Sequence, residues 1–486
     1  MTTPTASRNL VGVLELASKY KYGLSSHGLT LFLFRPYDEA EPEYVVGSSE
    51  RDLNQNQIAV VEVSTPAPLT AEPCTLTTKP RGSLQRLVGH VGNPEAEREG
   101  LLLHYCPAKY KKDIAIPPPD EADDEERIEI DAEHGWITFH VDPPGCRDVD
   151  DAIAYNPDTG SWAITIADAA AAVPVGSPLD KIAAAIGSTF YDLEGKALKP
   201  MLPAAISEES ASLQKDQRRR GVTLIYSDDG SEDFALSWIT VAHTFTYESF
   251  DLSEFKKSLP LDPVLDSHLF IEKQMIRYNA AVARRLRQAS AGLLRVQEKA
   301  DAAAVASWSA IDPALALLAN EAATYEVADA GKHDQSHASL SLAAYCHASS
   351  PLRRYADLYN QRVLKDLLRG STTVAPTRFI GDPTIAYSIA TSLNQRTKAN
   401  RRWTRDLTFL SLVTAGKVHT IDVVFLEGGQ VWVPEWRRLL RLRHVEARSP
   451  GYHGKIDIFC DPKRRNWKHR ILTSPHVQYA PCPITV

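Results

Sequence analysis

Short β-branched and aromatic runs, divided by Gly, Asp, Asn and Pro, open the chain: Leu10–Leu14, Thr30–Phe34 and Gln57–Val63. Strands this short with turns between them predict a small β-barrel over residues 9–65. A helical period follows from Glu95 to His104, and then Ile116–Glu126, where prolines and like charges predict a linker or exposed crossing strap. Trp136–Asp142 alternates as a strand running into a loop. Ala152–Tyr155 and Trp162–Ile166 flank Asn156-Pro-Asp-Thr-Gly160, a hairpin signal. Residues 265–420 are mostly of helical period. The best punctuated helix has Ser349 and Ser350 as N-cap, Pro351 in its first turn and Gly370 as its stop. Leu352, Ala356, Tyr359, Val363, Leu364 and Leu367 form its apolar stripe. After Gly416 the pattern returns to strands, Val418–Phe425 and Gln430–Pro434, about a Gly428-Gly429 turn.

The length of 486 residues corresponds to roughly three domains, enough to bury cores without disulfide or metal staples. A hydrophobic share of 43% and a charged share of 24% are those of an ordinary globular protein, which excludes collagenous and disordered classes. No run approaches the ~20 apolar residues of a membrane span. Met1–Lys19 lacks a basic start followed by an apolar run, so no secretory leader is expected. Six scattered cysteines without a Cys-x-x-Cys suit a reducing compartment, with the cytoplasm as the default and an organelle as the alternative. The net charge of −7 hides an asymmetry: residues 351–486 hold 23 Lys+Arg against 10 Asp+Glu, leaving 31 against 51 elsewhere. Such separation gives either a basic face for a polyanion or a merely solvated basic surface.

Two segments carry candidate chemistry. In Asp142-Pro-Pro-Gly-Cys-Arg-Asp148-Val-Asp150-Asp151 four carboxylates crowd within ten residues. Like charges this close raise one another's pKa and call for a cation. All-oxygen donors suit a hard ion such as Mg²⁺, which can activate water for phosphodiester cleavage. An exposed acidic turn has the same composition; a calcium loop does not fit, because the spacing fails its pattern. The second segment surrounds Arg353 and Arg354. On the capping argument these lie in the first turn of a helix begun at Pro351, where free N–H groups and the dipole favour phosphate. An arginine there adds bidentate contacts, although a structural ion pair would use the same residues.

Together the two segments resemble the catalytic domain of the ribonuclease II, or RNB, family. Its members carry Asp-Pro-x-x-x-x-Asp-Ile/Leu-Asp-Asp-Ala, matched by Asp142-Pro143 through Asp148-Val149-Asp150-Asp151-Ala152. They also carry Tyr-x-His-x-Thr-Ser-Pro-Ile/Leu-Arg-Arg-Tyr-x-Asp-Leu, matched by Tyr345–Leu358, about 200 residues on. Weaker echoes are Ile166-Ala-Asp168, Gly176–Asp180, Tyr191, Met201-Leu-Pro203, Ser212-Leu213 and Arg219, so that the likeness covers roughly 130–415.

The resemblance implies an α+β multidomain chain. Its parts are a cold-shock or OB-like barrel (1–115), an acidic linker (116–131), an RNB domain of mixed sheet and helices (132–415) and a C-terminal OB-type barrel (416–486). It implies a 3′→5′ exoribonuclease that degrades single-stranded RNA processively to nucleoside 5′-monophosphates. The implied cofactor is Mg²⁺, with Mn²⁺ as a substitute and no organic cofactor; protein partners stay open. Asp142, Asp148 and Asp151 correspond to the metal carboxylates, and Asp150 to the one needed for hydrolysis but not for binding. Arg353, with Arg354 beside it, corresponds to the phosphate clamp. Tyr191, Arg219, Tyr345, His347 and Ser350 become candidate RNA contacts, with Tyr191 matching the residue that stacks on the terminal base. In the flanks Lys19, Tyr20, Lys21, Tyr22, Trp432, Trp436, Arg437 and Arg438 are further candidates, or simple packing.

The chain departs from the family pattern in having room for one N-terminal barrel, and at Thr165, Ala211, Ser349 and Gln361, which leaves the RNA path and product length open. The rival expectation is a catalytically weak RNA-binding or assembly protein on the same fold; a DNA nuclease is the third.

Overall fold

The computed structural model describes residues 7–64, 79–110, 114–121, 124–262, 264–332, 334–370, 383–413, 419–441, 448–460 and 471–473. Strands β1 (Ser7–Leu14), β2 (Thr30–Pro36), β3 (Tyr44–Ser48), β4 (Gln57–Ser64) and β5 (Arg81–His90) close into a barrel of order β1-β2-β3-β5-β4. Alternate residues fill it: Leu14, Phe32, Phe34, Val46, Ala59 and Val61 are buried together. Gly12 lets β1 approach β2, since a Cβ there would collide with the Arg35 carbonyl. Of the five strands, β5 is exposed or half-buried throughout and so carries no apolar run for the sequence to show. Helix α1 (Pro94–Tyr105) leads out of the barrel, with the Asn93 side chain accepting the N–H groups of Glu95 and Ala96.

The central sheet has seven strands. They are β6 (Ile128–Ile130), β7 (Ile137–Val141), β8 (Asp151–Asn156), β9 (Ser161–Ala167), β12 (Arg218–Tyr226), β13 (Glu232–Thr240) and β14 (His243–Phe245). Their order is β14-β7-β8-β9-β12-β13-β6, antiparallel except at the two edges, where β14–β7 and β13–β6 are parallel. Between β9 and β12 come α2 (Ala169–Ala172), α3 (Pro178–Ile186) and the pair β10 (Phe190–Tyr191) and β11 (Ala197–Lys199). The acidic segment 116–131 is not a free linker at its C-terminal end. Arg127 is buried and donates to the carbonyls of Gly221 and Ser237 and to Asp168, while β6 completes the sheet.

Helices α4 (Tyr247–Asp251), α5 (Glu254–Ser258), α6 (Ser267–Gln288), α7 (Ala302–Ile311), α8 (Tyr355–Leu368) and α9 (Pro383–Val413) follow, with β15 (Leu293–Val296) and β16 (Thr324–Val327) paired among them. None among the described residues is long and apolar enough to cross a membrane. The expected stripe of α8 is buried at Leu352, Ala356, Tyr359, Val363 and Leu364. Its start differs: α8 begins at Tyr355, and Arg354 is extended (φ −133°, ψ 126°). Tertiary bonds override the Ser-Ser-Pro signal, because the Thr189 N–H donates to the Arg353 carbonyl and the Tyr355 N–H to that of Gly187. Strands β17 (His419–Phe425), β18 (Gln430–Val433), β19 (Arg438–Arg441), β20 (His453–Cys460) and β21 (Ile471–Thr473) form an antiparallel sheet of order β19-β18-β17-β20-β21. The domain boundary expected at 415/416, and the rest of the expected C-terminal barrel at 416–418, 442–447, 461–470 and 474–486, lie outside the described residues.

Candidate active site

The acidic loop joins two neighbouring strands, so its ends are held by the sheet: Asp142 follows the last residue of β7 and Asp151 opens β8. The loop turns at Pro143–Cys146, where the Cys146 N–H donates to the Pro143 carbonyl and Gly145 adopts φ +79°. Ser212 clamps it from outside, its hydroxyl donating to the Arg147 carbonyl and accepting the Val149 N–H. Arg219 in turn donates to the carbonyls of Ser212 and Glu209. The guanidinium of Arg219 thus braces the Ser212 segment, with the Gln217 side chain as a further partner.

The remote segment closes on this loop. Asp150, 4% exposed, accepts the Leu352 N–H at 2.9 Å through Oδ1 and the Arg353 Nε at 3.1 Å through Oδ2. A backbone donor expected to await phosphate is therefore occupied by the chain's own carboxylate. Arg353 stays 43% exposed, and its Nη2 donates to the hydroxyl of Ser350 at 3.0 Å. Ser350 is buried, so it positions Arg353 rather than facing a ligand. Arg354 turns away, donating to the buried Asp357, which also accepts the Ser350 N–H. Asp357, Ser212 and Asn279 were not among the candidates; Asn279, which grips Tyr345, Ala348 and Ser349, stands in no motif.

Burial, only partly offset by Arg353, pushes the Asp150 carboxyl up to about 7. Burial and then Asp142 and Asp150 push Asp151 well above the usual carboxylate range. Among the described residues Asp151 has no hydrogen-bond or ion-pair partner, and the more distant Arg353 and Arg354 offset the rise only in part. Asp148 accepts the phenol of Tyr191 at 3.3 Å and the weak Cys146 thiol at 3.7 Å. The His140 ring lies 2.8 Å from Asp142, without the alignment of a hydrogen bond. Among the described residues no three His, Cys, Asp or Glu side chains form a ready cation cage.

Tyr191 is half-buried beside Asp148, its carbonyl held by the Trp403 indole. Tyr345 and His347 lie behind the arginines: the Tyr345 hydroxyl accepts from Asn279, and His347 Nδ1 meets the Tyr325 hydroxyl at 2.7 Å. Burial lowers the His347 pKa well below its ordinary value, so it is neutral at pH 7. Tyr247, also absent from the candidates, stacks on His268 at 3.9 Å, and its phenol is raised by burial and then by Asp142 and Asp151. In the flanks Tyr20 is exposed and packs edge-on against Tyr22. Lys21 is tied to the Leu16 carbonyl and the face of Phe32. Trp432 and Trp436 are buried, and Arg438 pairs with Asp406 over the ring of Phe409, which makes all three packing residues.

The RNB domain family model matches residues 131–259 and 256–370. The exosome complex exonuclease RRP44 homolog A of Arabidopsis thaliana is 25% identical over 418 residues, covering 65% of this chain and 44% of the relative. The chain spans about half the length of the curated relatives it matches. Among solved structures, Mycoplasma genitalium RNase R in complex with double-stranded RNA superposes with TM-score 0.69 at 16% identity, over 96% of this chain and 95% of that one. Yeast Ssd1, a pseudonuclease, does so with TM-score 0.68 at 16% identity, over 92% of this chain and 66% of that one. At such identity the two structures show a common fold, with and without nuclease activity.

Proposed function

Because the chain belongs to the RNB family, we propose that it is a hydrolytic exoribonuclease, shortening single-stranded RNA processively from the 3′ end to nucleoside 5′-monophosphates. One observation carries this reading. Asp150 binds both the Leu352 N–H and Arg353, joining acids and guanidinium from segments about 200 residues apart. A binding protein needs no such pair beside three further carboxylates.

The donor set fits Mg²⁺, or Mn²⁺ in its place. Mg²⁺ takes one or two carboxylates and completes its shell with waters and substrate phosphate, so a cage of three is not required. Asp151, half-buried and without a hydrogen-bond partner among the described residues, and Asp142 would hold it, with Asp148 alongside. Bound there, the ion supplies an acidified water and neutralises charge on the phosphoryl oxygens. Arg353 exchanges Ser350 for the scissile phosphate and stabilises charge as it develops. Asp150, with its carboxyl near 7, can hold or release a proton at Oδ2 at neutral pH. Tyr191 offers a ring beside Asp148 for the terminal base. The free thiols Cys106, Cys146 and Cys346 suit the reducing cytoplasm, where we place the protein.

The test uses 5′-labelled RNA and its DNA copy, with Mg²⁺ or EDTA. The expected result is a ladder shortening from the 3′ end on RNA alone, abolished by EDTA and in Asp150→Asn. The likeness to a pseudonuclease favours a second reading, an RNA-binding protein without hydrolysis. RNA bound but left intact with Mg²⁺ or Mn²⁺ would establish it instead.

A further inference from the structure

Helix α9 has two opposed faces near its C-terminal half. On one, Asn400 donates to the Ser188 hydroxyl and the Thr189 carbonyl, and the Trp403 indole donates to the Tyr191 carbonyl. This face holds the segment that contacts Arg353 and Asp148. Lys398, Arg401, Arg402 and Arg405 follow at i, i+3, i+4 and i+7, so they share the other face, and all four are exposed. Asn394, seven residues before Arg401 and on the same face, clasps the backbone of Tyr325 in β16. Beyond that clasp Arg401 still lies near enough to Arg295 and Tyr325 to act on both electrostatically. Among the described residues Lys398, Arg401 and Arg402 have no ion-pair partner, and Arg405 has only the adjacent Asp406 at 3.8 Å. Four cations along about 10 Å of helix, three of them unpaired among the described residues, repel one another and lower stability unless a polyanion lies beside them. Several surface arginines elsewhere are neutralised: Arg218 by Glu129, Arg220 by Asp124, Arg284 by Glu232.

We propose that Lys398, Arg401, Arg402 and Arg405 form a phosphate track for RNA upstream of the scissile bond, engaged by long chains and out of reach of the shortest ones. This rests on the nuclease reading. The segment gripped by one face of α9 touches the site, so a strand that leaves the site and passes round the helix meets the cations of the other. The track reads charge and not sequence, because point charges on phosphates carry no base information.

Binding of a 20-nucleotide and a 4-nucleotide RNA is measured by fluorescence anisotropy in EDTA across a salt series. Lys398→Gln/Arg401→Gln/Arg405→Gln is expected to weaken the long RNA about tenfold and to flatten its log–log salt slope by about 2, for three lost contacts. The 4-nucleotide RNA should keep its affinity. The charge-keeping Arg401→Lys/Arg405→Lys variant should retain the parent slope, since a point charge suffices on a phosphate. An unchanged slope in the triple variant, or an equal loss for both lengths, overturns the track. So does a Lys variant that falls with the Gln variant, which would make the arginines structural. A parent protein that binds neither RNA sinks the nuclease reading itself, a failure separable from the loss of the track alone.

Discussion

Two buried aspartates at the ends of neighbouring strands meet opposite fates. Asp168, just past β9, lies 2.6 Å from both Arg127 and Lys365, and all three side chains are buried. Burial alone would raise its pKa, but Lys365 and Arg127 outweigh it and the carboxyl is lowered. Asp150, whose carbonyl accepts the Ala167 N–H next door, has one half-exposed guanidinium and is raised to about 7. Equal burial with unequal compensation separates a charge that holds the fold from one that is available for chemistry. Asp168 binds the linker's end, the sheet and α8 together. Asp150 is left with an acid surplus and an arginine that a phosphate can take.

The contrast can be broken at either residue. Asp150→Asn keeps an acceptor for the Leu352 N–H but loses the charge beside Arg353. Hydrolysis of labelled RNA should fall about 10³-fold while RNA affinity stays near the parent's; undiminished hydrolysis would remove Asp150 from the mechanism. Asp168→Asn removes the charge that Arg127 and Lys365 share and should cost about 3–5 kcal/mol in urea unfolding. Activity per folded molecule at low temperature should persist, and a variant as stable as the parent would show that the triad contributes nothing net.

The pH dependences should run in opposite directions. Between the ordinary 3.8 and about 7 the folded state holds a proton on Asp150 that the unfolded chain has released. The contribution of Asp150 to stability therefore falls as pH rises through that window. Asp168, with its carboxyl lowered, contributes stability above 3.8 that is lost as pH falls towards its folded value. Metal-free parent and Asp150→Asn, unfolded in urea at about pH 5 and about pH 7.5, should diverge in the variant's favour at the higher pH; parallel profiles would contradict the raised carboxyl. The smallest effect is at Ser350→Ala, which frees Arg353 Nη2 and should cost about 1 kcal/mol of stability. Steady-state rates should drop up to about tenfold through the loosened guanidinium, whereas a rate equal to the parent's would leave Ser350 without a positioning role.

Much of this was legible without coordinates, and for definable reasons. The barrel strands β1, β2 and β4 show as apolar runs because one face of each fills a closed interior, whereas β5 does not, being polar and half-exposed. The acidic loop is local, and its four aspartates and its turn residues are contiguous. Asn279 carries no signal, and Ser212 only a weak family echo, because each acts through bonds to backbone or side chains more than 60 residues away. The helix expected at Pro351 starts at Tyr355 because donors there are satisfied from β10's neighbourhood and from Asp150, which no capping rule at the site can foresee. Trp432, Trp436 and Arg438 have the composition of an RNA surface, yet the two indoles are buried and the guanidinium is tied to Asp406.

By itself the sequence determined what depends on neighbours along the chain: alternating strands, the punctuated helix, the crowded acids and the excess of cations after residue 350. The tertiary structure decided which charges are compensated. Asp150 and Asp168 are both aspartates next to strands, and only the packing of Arg127, Lys365 and Arg353 around them sets one carboxyl below its ordinary pKa and the other above it. Electrostatic energy inside a protein depends on distance and solvent access, and neither is a property of position in the chain.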